Sequence, residues 1–466
     1  MIYFLAGVVA MAGLLFGYDE GVIAVAGSSL THDFPMSDLA RGFTTAAVPL
    51  GALVGCILGG RLTERFGRRR VLMGAAALFS CGALAAACVI AVWMLTIARF
   101  VLGLAIGVAA VVAPLYIAES APLRIRGGLV STYQLAITAG ILLSYLTGLV
   151  VVGEGSWRVM FALGMVPGVA FLIGLVFLPE SPRWLALQGR GSQAKASLHR
   201  LRGATTDVTA ELAGIQAMAD AEQRSAAHAP SLLAPWVRPA LIIGTVLFFL
   251  QQLSGINAVI YYAPTIFRHA GLGSDKANVI ATVGVGLVNF LVTILAMALI
   301  DRWGRRPLLS VGFAGTAATL ILIAVAVMKP NVFPSWIIVV ALFGYIASFA
   351  VSLGPLPHLM MSEVFPLSIR GAGMSAASAS NWGFNFIVVF LFPLMLSTIG
   401  LAGAFTLFAV VCLGGLLFSI TFAPETRGVS LEEIEAHLRA GEPLRSLGLA
   451  KTRTAPFAIG NRTPLP

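Results

Sequence analysis

Phe248-Phe249-Leu250-Gln251-Gln252-Leu253-Ser254-Gly255-Ile256-Asn257-Ala258-Val259-Ile260-Tyr261-Tyr262-Ala263-Pro264 lies inside a long apolar run, yet it carries three amides, a hydroxyl and two phenols. Polar side chains in hydrocarbon are costly unless they face a cavity or a partner. At about 100° per residue Gln251, Gly255 and Tyr262 share one helical face, whereas Gln252 and Asn257 fall about 140° apart. A straight helix cannot easily aim them all at one ligand. Ser254-Gly255 offers a point at which the helix can unwind, a device that builds sites near a bilayer midplane. Amides and phenols without clustered charge suit a neutral, hydroxyl-rich solute. The same groups could instead simply tie neighbouring helices together.

The rest of the chain makes the membrane reading firm. Its 466 residues are 58% hydrophobic and 11% charged, with a mean hydropathy of +0.92, which excludes a soluble globular or a disordered protein. The net charge of +10 is no nucleic-acid signal, because the arginines cluster in alternate connections between apolar runs. Cys56, Cys81, Cys88 and Cys412 all fall in apolar segments without metal or disulfide spacing. The apolar N-terminus from Ile2 is long and reads as a first span, not a cleaved signal peptide.

Twelve apolar segments long enough to cross a bilayer are expected at 2–26, 43–62, 71–91, 93–117, 128–152, 158–178, 239–267, 277–300, 307–328, 335–361, 372–397 and 401–423. The links after the second, fourth, eighth and tenth hold Arg61, Arg65, Arg68, Arg69 and Arg70, then Arg124 and Arg126, then Arg302, Arg305 and Arg306, then Arg370. This bias puts both termini in the cytoplasm. The expected organisation is a six-helix bundle over 1–178, a cytoplasmic helical linker over 179–238, a second bundle over 239–423 and a tail over 424–466. Within the linker, Ser192–Arg202 and Asp207–Ala221 read as short amphipathic helices, with Leu212 and Ile215 available for one face. Ser430-Leu431-Glu432-Glu433 reads as a capping box starting a short helix. The sequon Asn461-Arg462-Thr463 falls in the expected cytoplasmic tail and is dismissed.

An internal repeat supports two halves. Glu119-Ser-Ala-Pro122-Leu123-Arg-Ile125-Arg126-Gly127 returns 244 residues later as Glu363-Val-Phe-Pro366-Leu367-Ser-Ile369-Arg370-Gly371. Glu64-Arg65-Phe-Gly67-Arg68-Arg69 returns after 237 residues as Asp301-Arg302-Trp-Gly304-Arg305-Arg306, and Pro179-Glu180 after 245 as Pro424-Glu425. Two six-helix halves with a solute pathway between them are the expected result: an all-α polytopic membrane protein. Because each acid keeps its spacing to an arginine, Glu119, Arg126 and Arg65 are expected to pair in one half. Glu363, Arg370 and Arg302 are expected to pair in the other, with Glu180 and Glu425 as further acidic partners. Such a network could latch the cytoplasmic side shut.

These motifs resemble the sugar porter family of the major facilitator superfamily, over residues 14 to 428. Gly60-x-Leu62-x-Glu64-Arg65-x-Gly67-Arg68-Arg69 resembles the superfamily's loop motif. Pro179-Glu-Ser-Pro-Arg183-Trp184-Leu185, Pro424-Glu-Thr-Arg-Gly428 and Gln251-Gln252-Leu-Ser-Gly-Ile-Asn257 are more specific. They resemble glucose facilitators and bacterial hexose– or xylose–proton symporters. The resemblance implies sugar contacts at Phe16, Gln134, Ile141, Gln251, Gln252, Asn257, Tyr261, Asn289, Asn381, Trp382 and Asn385. Amides can donate to and accept from sugar hydroxyls, and a flat ring can cover the C–H face of a pyranose. In Gly354-Pro355-Leu356-Pro357-His358, His358 stands where hexose transporters usually carry Trp. Ile141 replaces the polar group of the xylose type, as it does in glucose facilitators.

Asp19, in Phe16-Gly17-Tyr18-Asp19-Glu20-Gly21, and Arg99 are charges stranded in the first and fourth spans, each the other's natural counter-ion. Proton symporters of this family carry an Asp at that place. The expected mechanism is protonation-gated pairing: deprotonated Asp19 binds Arg99, and protonation releases it. Glu20 is expected nearer the outer water boundary. The expected function is import of a hexose such as glucose or galactose, or of D-xylose, by proton symport with alternating access. A facilitated uniporter, a polyol–proton symporter and a non-transporting sugar sensor stand as alternatives. No nucleophile–base pair, metal cluster or phosphate-binding Gly-Lys-Ser/Thr points to an enzyme or an ATP-driven pump. The expected partners are the monosaccharide, the proton as coupling ion and the bilayer of a bacterial inner membrane. No other cofactor and no nucleic acid are expected, and the chain is expected to be a monomer.

Overall fold

The computed structural model describes residues 1–447 except 123–124, 152–155, 204–205, 227–230, 272–273, 366–368 and 430, and except the side chains of 218–226, 275, 301, 370, 371, 431 and 432. Arg124, the side chain of Arg370, the Ser430 cap and the Asn461 sequon therefore lie outside the described residues.

The described residues form helices joined by short connections and contain no strand. Twelve helices are long and apolar enough to cross a membrane: Ile2–Asp33, Asp38–Phe66, Arg68–Ala87, Val92–Ser120, Arg126–Val150, Ser156–Val176, Arg238–His269, Lys276–Ile300, Arg305–Met328, Ser335–Val364, Ala372–Thr398 and Gly400–Thr421. We number them spans 1 to 12. Span 1 runs well past its expected end at residue 26. Thr31 Oγ1 folds back onto the Gly27 carbonyl, and the helix stops only at Phe34, extended at φ −126° and ψ 92°. Phe34 precedes Pro35, which disfavours the helical region for it.

Span 6 is interrupted at Gly164, and spans 7 and 10 break next to polar groups, for different reasons. In span 7 the helix ends at Leu253 and restarts at Ile256, with Gly255 left-handed at φ +91°. A Cβ there would strike the Phe408 ring as well as strain the backbone, so only glycine fits. Span 10 runs as Ser335–Ser348, a π-helical turn over Phe349–Leu353, then Leu356–Val364. Pro355 and Pro357 lack N–H groups, so carbonyls four residues earlier lose their helical donors.

The parity of the spans puts the start of span 1, the end of span 12, the Arg-bearing links and the linker at one end of the bundle, here called the basic end. At the opposite, far end the halves are packed together through spans 1 and 7, 2 and 11, and 5 and 8. Tyr145 of span 5 donates to the Ile260 carbonyl of span 7 at 2.8 Å, and Arg41 Nη2 of span 2 to Thr265 Oγ1 at 2.8 Å. Phe43 meets Phe390 edge-on, with centroids 6.3 Å apart. Linker helices occupy Pro182–Leu187, Gly191–Arg202 and Thr209–Ala226, with Leu212 packed on Trp184, Leu185 and Ala194. In the tail, Leu431–Arg439 is helical and buries Ile434 and Leu438.

Candidate solute and proton site

Where span 7 breaks, its amides turn toward span 11. Asn257 Nδ2 donates to Gln252 Oε1 at 2.5 Å, and Gln252 Nε2 to Asn381 Oδ1 at 2.5 Å. The two positions that fall on different faces of a straight helix are thus brought into one chain. Asn385, one turn along span 11, is buried with its Oδ1 unpartnered. Asn289 of span 8 is buried as well. Phe16 of span 1 meets Trp382 of span 11 edge-on at 5.1 Å, so this ring pair spans the two halves. Gln134 of span 5 is half-buried, and Ile141 is buried.

Gln251 points elsewhere. Its Nε2 donates to the Leu353 carbonyl at 2.6 Å and to that of Gly354 at 3.3 Å, inside the break of span 10. Leu353 is the residue whose helical donor would have been Pro357, so the amide replaces a missing backbone N–H. Gln251 Oε1 stays buried without a partner, the one atom of this side chain free to meet a ligand hydroxyl. Helix-tying accounts for half of this amide and leaves the other half available. His358 follows the same break: its ring meets Phe248 edge-on at 4.9 Å, interacts with the Gly354 backbone, and stays exposed. A ring that is both packed and accessible suits the wall of an open pathway.

Asp19 and Arg99 meet as expected from their charges. Arg99 Nη2 lies 3.5 Å from Asp19 Oδ2, with the side chains 0% and 2% exposed. Arg99 Nε donates to the Thr44 carbonyl at 3.1 Å and Nη2 reaches that of Thr45 at 3.5 Å, while Nη1 is buried without a partner. The pair is long and under-bonded for a buried ion pair, which needs further hydrogen bonds to offset the loss of hydration. Geometry of this kind is easily released. Glu20, the next residue, is buried too, at 3% exposure.

The acid–arginine clusters at the basic end form, but with other arginines. Glu119 accepts from Arg68 Nη2 at 2.6 Å, Arg68 Nε at 2.7 Å and Ser181 Oγ at 2.5 Å. Glu180 accepts the backbone N–H groups of Arg68, Arg69 and Ser181 at about 3 Å. In the second half Glu363 accepts from Arg305 Nη2 at 2.8 Å and from the Thr426 hydroxyl. Glu425 accepts the N–H groups of Arg305 and Arg306, each at 3.1 Å. Each carboxylate from the Pro-Glu motif therefore caps the N-terminus of a span, where a helix presents free donors and partial positive charge. Arg65 is exposed and lies over Phe66, Arg302 is exposed, and Arg126 Nε is buried without a partner. The pairing arginine sits just beyond Gly67 and Gly304, at φ +90° and +89°, where the chain reverses and aims the next residue inward. Each of these bonds stays within one half, and Arg65 and Arg302 take no part in them.

The same architecture recurs in known proteins. Residues 5–438 match the family model described as Sugar (and other) transporter. The chain is 38% identical over 460 residues to the galactose–proton symporter of Escherichia coli strain K12, covering 96% of this chain and 97% of that protein. It is 38% identical over 432 residues to the glucose transporter GlcP of Staphylococcus epidermidis, covering 92% and 96%. Among solved structures it is similar to the inward-open conformation of the xylose transporter XylE from E. coli. There the TM-score is 0.81 at 32% identity over 94% of this chain and 99% of the other. Against XylE bound to 6-bromo-6-deoxy-D-glucose the TM-score is 0.77, at 32% identity over 93% and 98%.

Proposed function

The chain belongs to the sugar transporter family, and on that footing we propose that it imports a monosaccharide together with a proton by alternating access. The observation that carries the coupling is the buried Asp19–Arg99 pair, a titratable carboxylate and its close cation in the middle of the first half. Asp19 ionised holds Arg99, which ties spans 1, 2 and 4 together through the Thr44 and Thr45 carbonyls. Protonation removes the attraction and frees the guanidinium, so the half can change its packing. The solute side rests on the amide chain from Asn257 through Gln252 to Asn381. Its open valences, with Gln251 Oε1 and Asn385 Oδ1, match a ring of hydroxyls. Phe16 and Trp382 supply apolar faces. Gln134, Ile141, Tyr261, Asn289 and His358 complete the proposed wall.

We assign the basic end to the cytoplasm from the arginine bias, with both termini there, in a bacterial inner membrane. The closed far end then corresponds to an inward-facing state. The acid–arginine clusters act as clamps that keep each half rigid while it rocks. The transporter works as a monomer.

The test is counterflow of labelled galactose, glucose, xylose and arabinose in proteoliposomes, then net uptake with and without an inward proton gradient. Exchange of one sugar and its accumulation above equilibrium, abolished by an uncoupler, is the expected result. Exchange without accumulation would make the chain a uniporter, and no exchange of any sugar would direct the search to polyols.

A further inference from the structure

One carboxylate next to the Asp19–Arg99 pair takes no part in it. Glu20 shares a helical stripe with Phe16 one turn below and with Ile23 and Ala24 one turn above. Phe16 touches Trp382 of the second half. Ile23 and Ala24 line a far-end cavity of about 20 Å³ together with Arg41, Thr45, Tyr261 and Tyr262. A space of that size holds about one water. Glu20 therefore stands on the face between the halves, between the amide site and a far-side cavity with room for a water.

The charged and titratable groups around it come from four neighbouring elements. Asp19 lies on its own helix, Tyr133 and Tyr145 face it from span 5, and Tyr261 faces it from span 7. From span 4, Arg99 is committed to Asp19, and from span 2, Arg41 lies over the Tyr262 ring at 5.5 Å. The Tyr261 hydroxyl interacts with Glu20 across the two halves without closing a hydrogen bond of ordinary geometry. Asp19 and Glu20 are thus adjacent buried carboxyls, and the one guanidinium beside them is bonded to Asp19. A buried carboxyl without a cation of its own is suited to carry a proton.

We propose that Glu20 is a proton-relay residue, taking the coupling proton from water on the far side and handing it to Asp19. The O–H bond on Glu20 breaks as one forms on an Asp19 oxygen. Glu20 is left as a carboxylate, Asp19 becomes neutral, and Arg99 is released. Glu20 then regains a proton from water in the far-end cavity, with the Tyr261 hydroxyl placed to donate to its ionised form meanwhile. This inference rests on the symport reading above and adds to it the route by which the proton arrives.

The experiment uses the full chain in proteoliposomes with whichever of labelled D-galactose, D-glucose or D-xylose it exchanges best. Initial rates of gradient-driven uptake, the accumulation plateau and counterflow are measured for wild type, Glu20→Gln and Glu20→Asp, from mildly acid to mildly alkaline external pH. A kinetic relay predicts that Glu20→Gln slows gradient-driven uptake about tenfold or more and alters its pH profile. Counterflow should fall by less than about threefold, the plateau should still be reached, and Glu20→Asp should restore much of the rate. Gradient-driven uptake by Glu20→Gln at the wild-type rate and pH profile would overturn the relay alone. A plateau lowered toward its square root would overturn it in favour of a second coupled proton. Loss of counterflow in both variants would overturn it in favour of a packing or sugar-binding role. Wild-type counterflow without accumulation would instead remove the symport reading itself.

Discussion

The two halves are near copies where they hold helices and unlike where they meet the solute. At the basic end Arg68, Glu119, Glu180 and Ser181 in the first half match Arg305, Glu363, Glu425 and Thr426 in the second, bond for bond. At mid-membrane the first half carries charge, in Asp19, Glu20 and Arg99, whereas span 7 and span 11 carry neutral amides. Charge in a low-dielectric interior needs a counter-charge and answers to protonation, and an amide does neither. On the proposed reading, proton chemistry sits in the first half, and most of the amides that meet the solute sit in the second. Coupling then passes through groups that bridge them near the two sites, among them Phe16 with Trp382 and Glu20 with Tyr261.

This division can be challenged in graded steps. The largest effect is expected from Arg99→Met, which leaves Asp19 buried without its cation at a cost of about 3–5 kcal/mol. Thermal unfolding in detergent should show it, and adding Asp19→Asn should restore much of the loss. Gly255→Ala forces a β-carbon into the left-handed region, costing about 1–2 kcal/mol before the Phe408 contact is counted. It should weaken sugar exchange by straightening span 7. Gln252→Ala removes the middle of the amide chain and should raise the KM for sugar about tenfold, near 1.4 kcal/mol, while leaving the pH profile of uptake in place. A shifted profile would show that the second half also handles the proton. Arg65→Ala should be nearly silent, within about 0.5 kcal/mol, because the exposed side chain lies outside the clamp. A loss comparable to that of Arg68→Ala would restore Arg65 to the network.

Much of the architecture was legible because a membrane span is written in length and hydropathy alone, and the arginine links punctuate it. The break in span 7 was legible too, since Ser254-Gly255 interrupts an otherwise good helix between polar groups. The break in span 10 was written in Pro355 and Pro357, but its consequence was not. Which carbonyl a proline orphans is local, whereas the donor that replaces it, Gln251, lies 102 residues away. The choice between Arg65 and Arg68 shows a similar limit. Both stand near Glu119 by motif, and only the turn at Gly67 decides which one faces it.

Symport in this protein stands or falls with protonation of Asp19 as the step that drives concentrative transport. It is read most plainly from the steady-state sugar accumulation ratio against an imposed proton gradient, in proteoliposomes of wild type and Asp19→Asn. The wild-type ratio should rise with the gradient. That of Asp19→Asn should stay at unity while counterflow persists. An Asp19→Asn variant that still accumulates sugar in step with the gradient would refute the coupling role and reduce the Asp19–Arg99 pair to architecture.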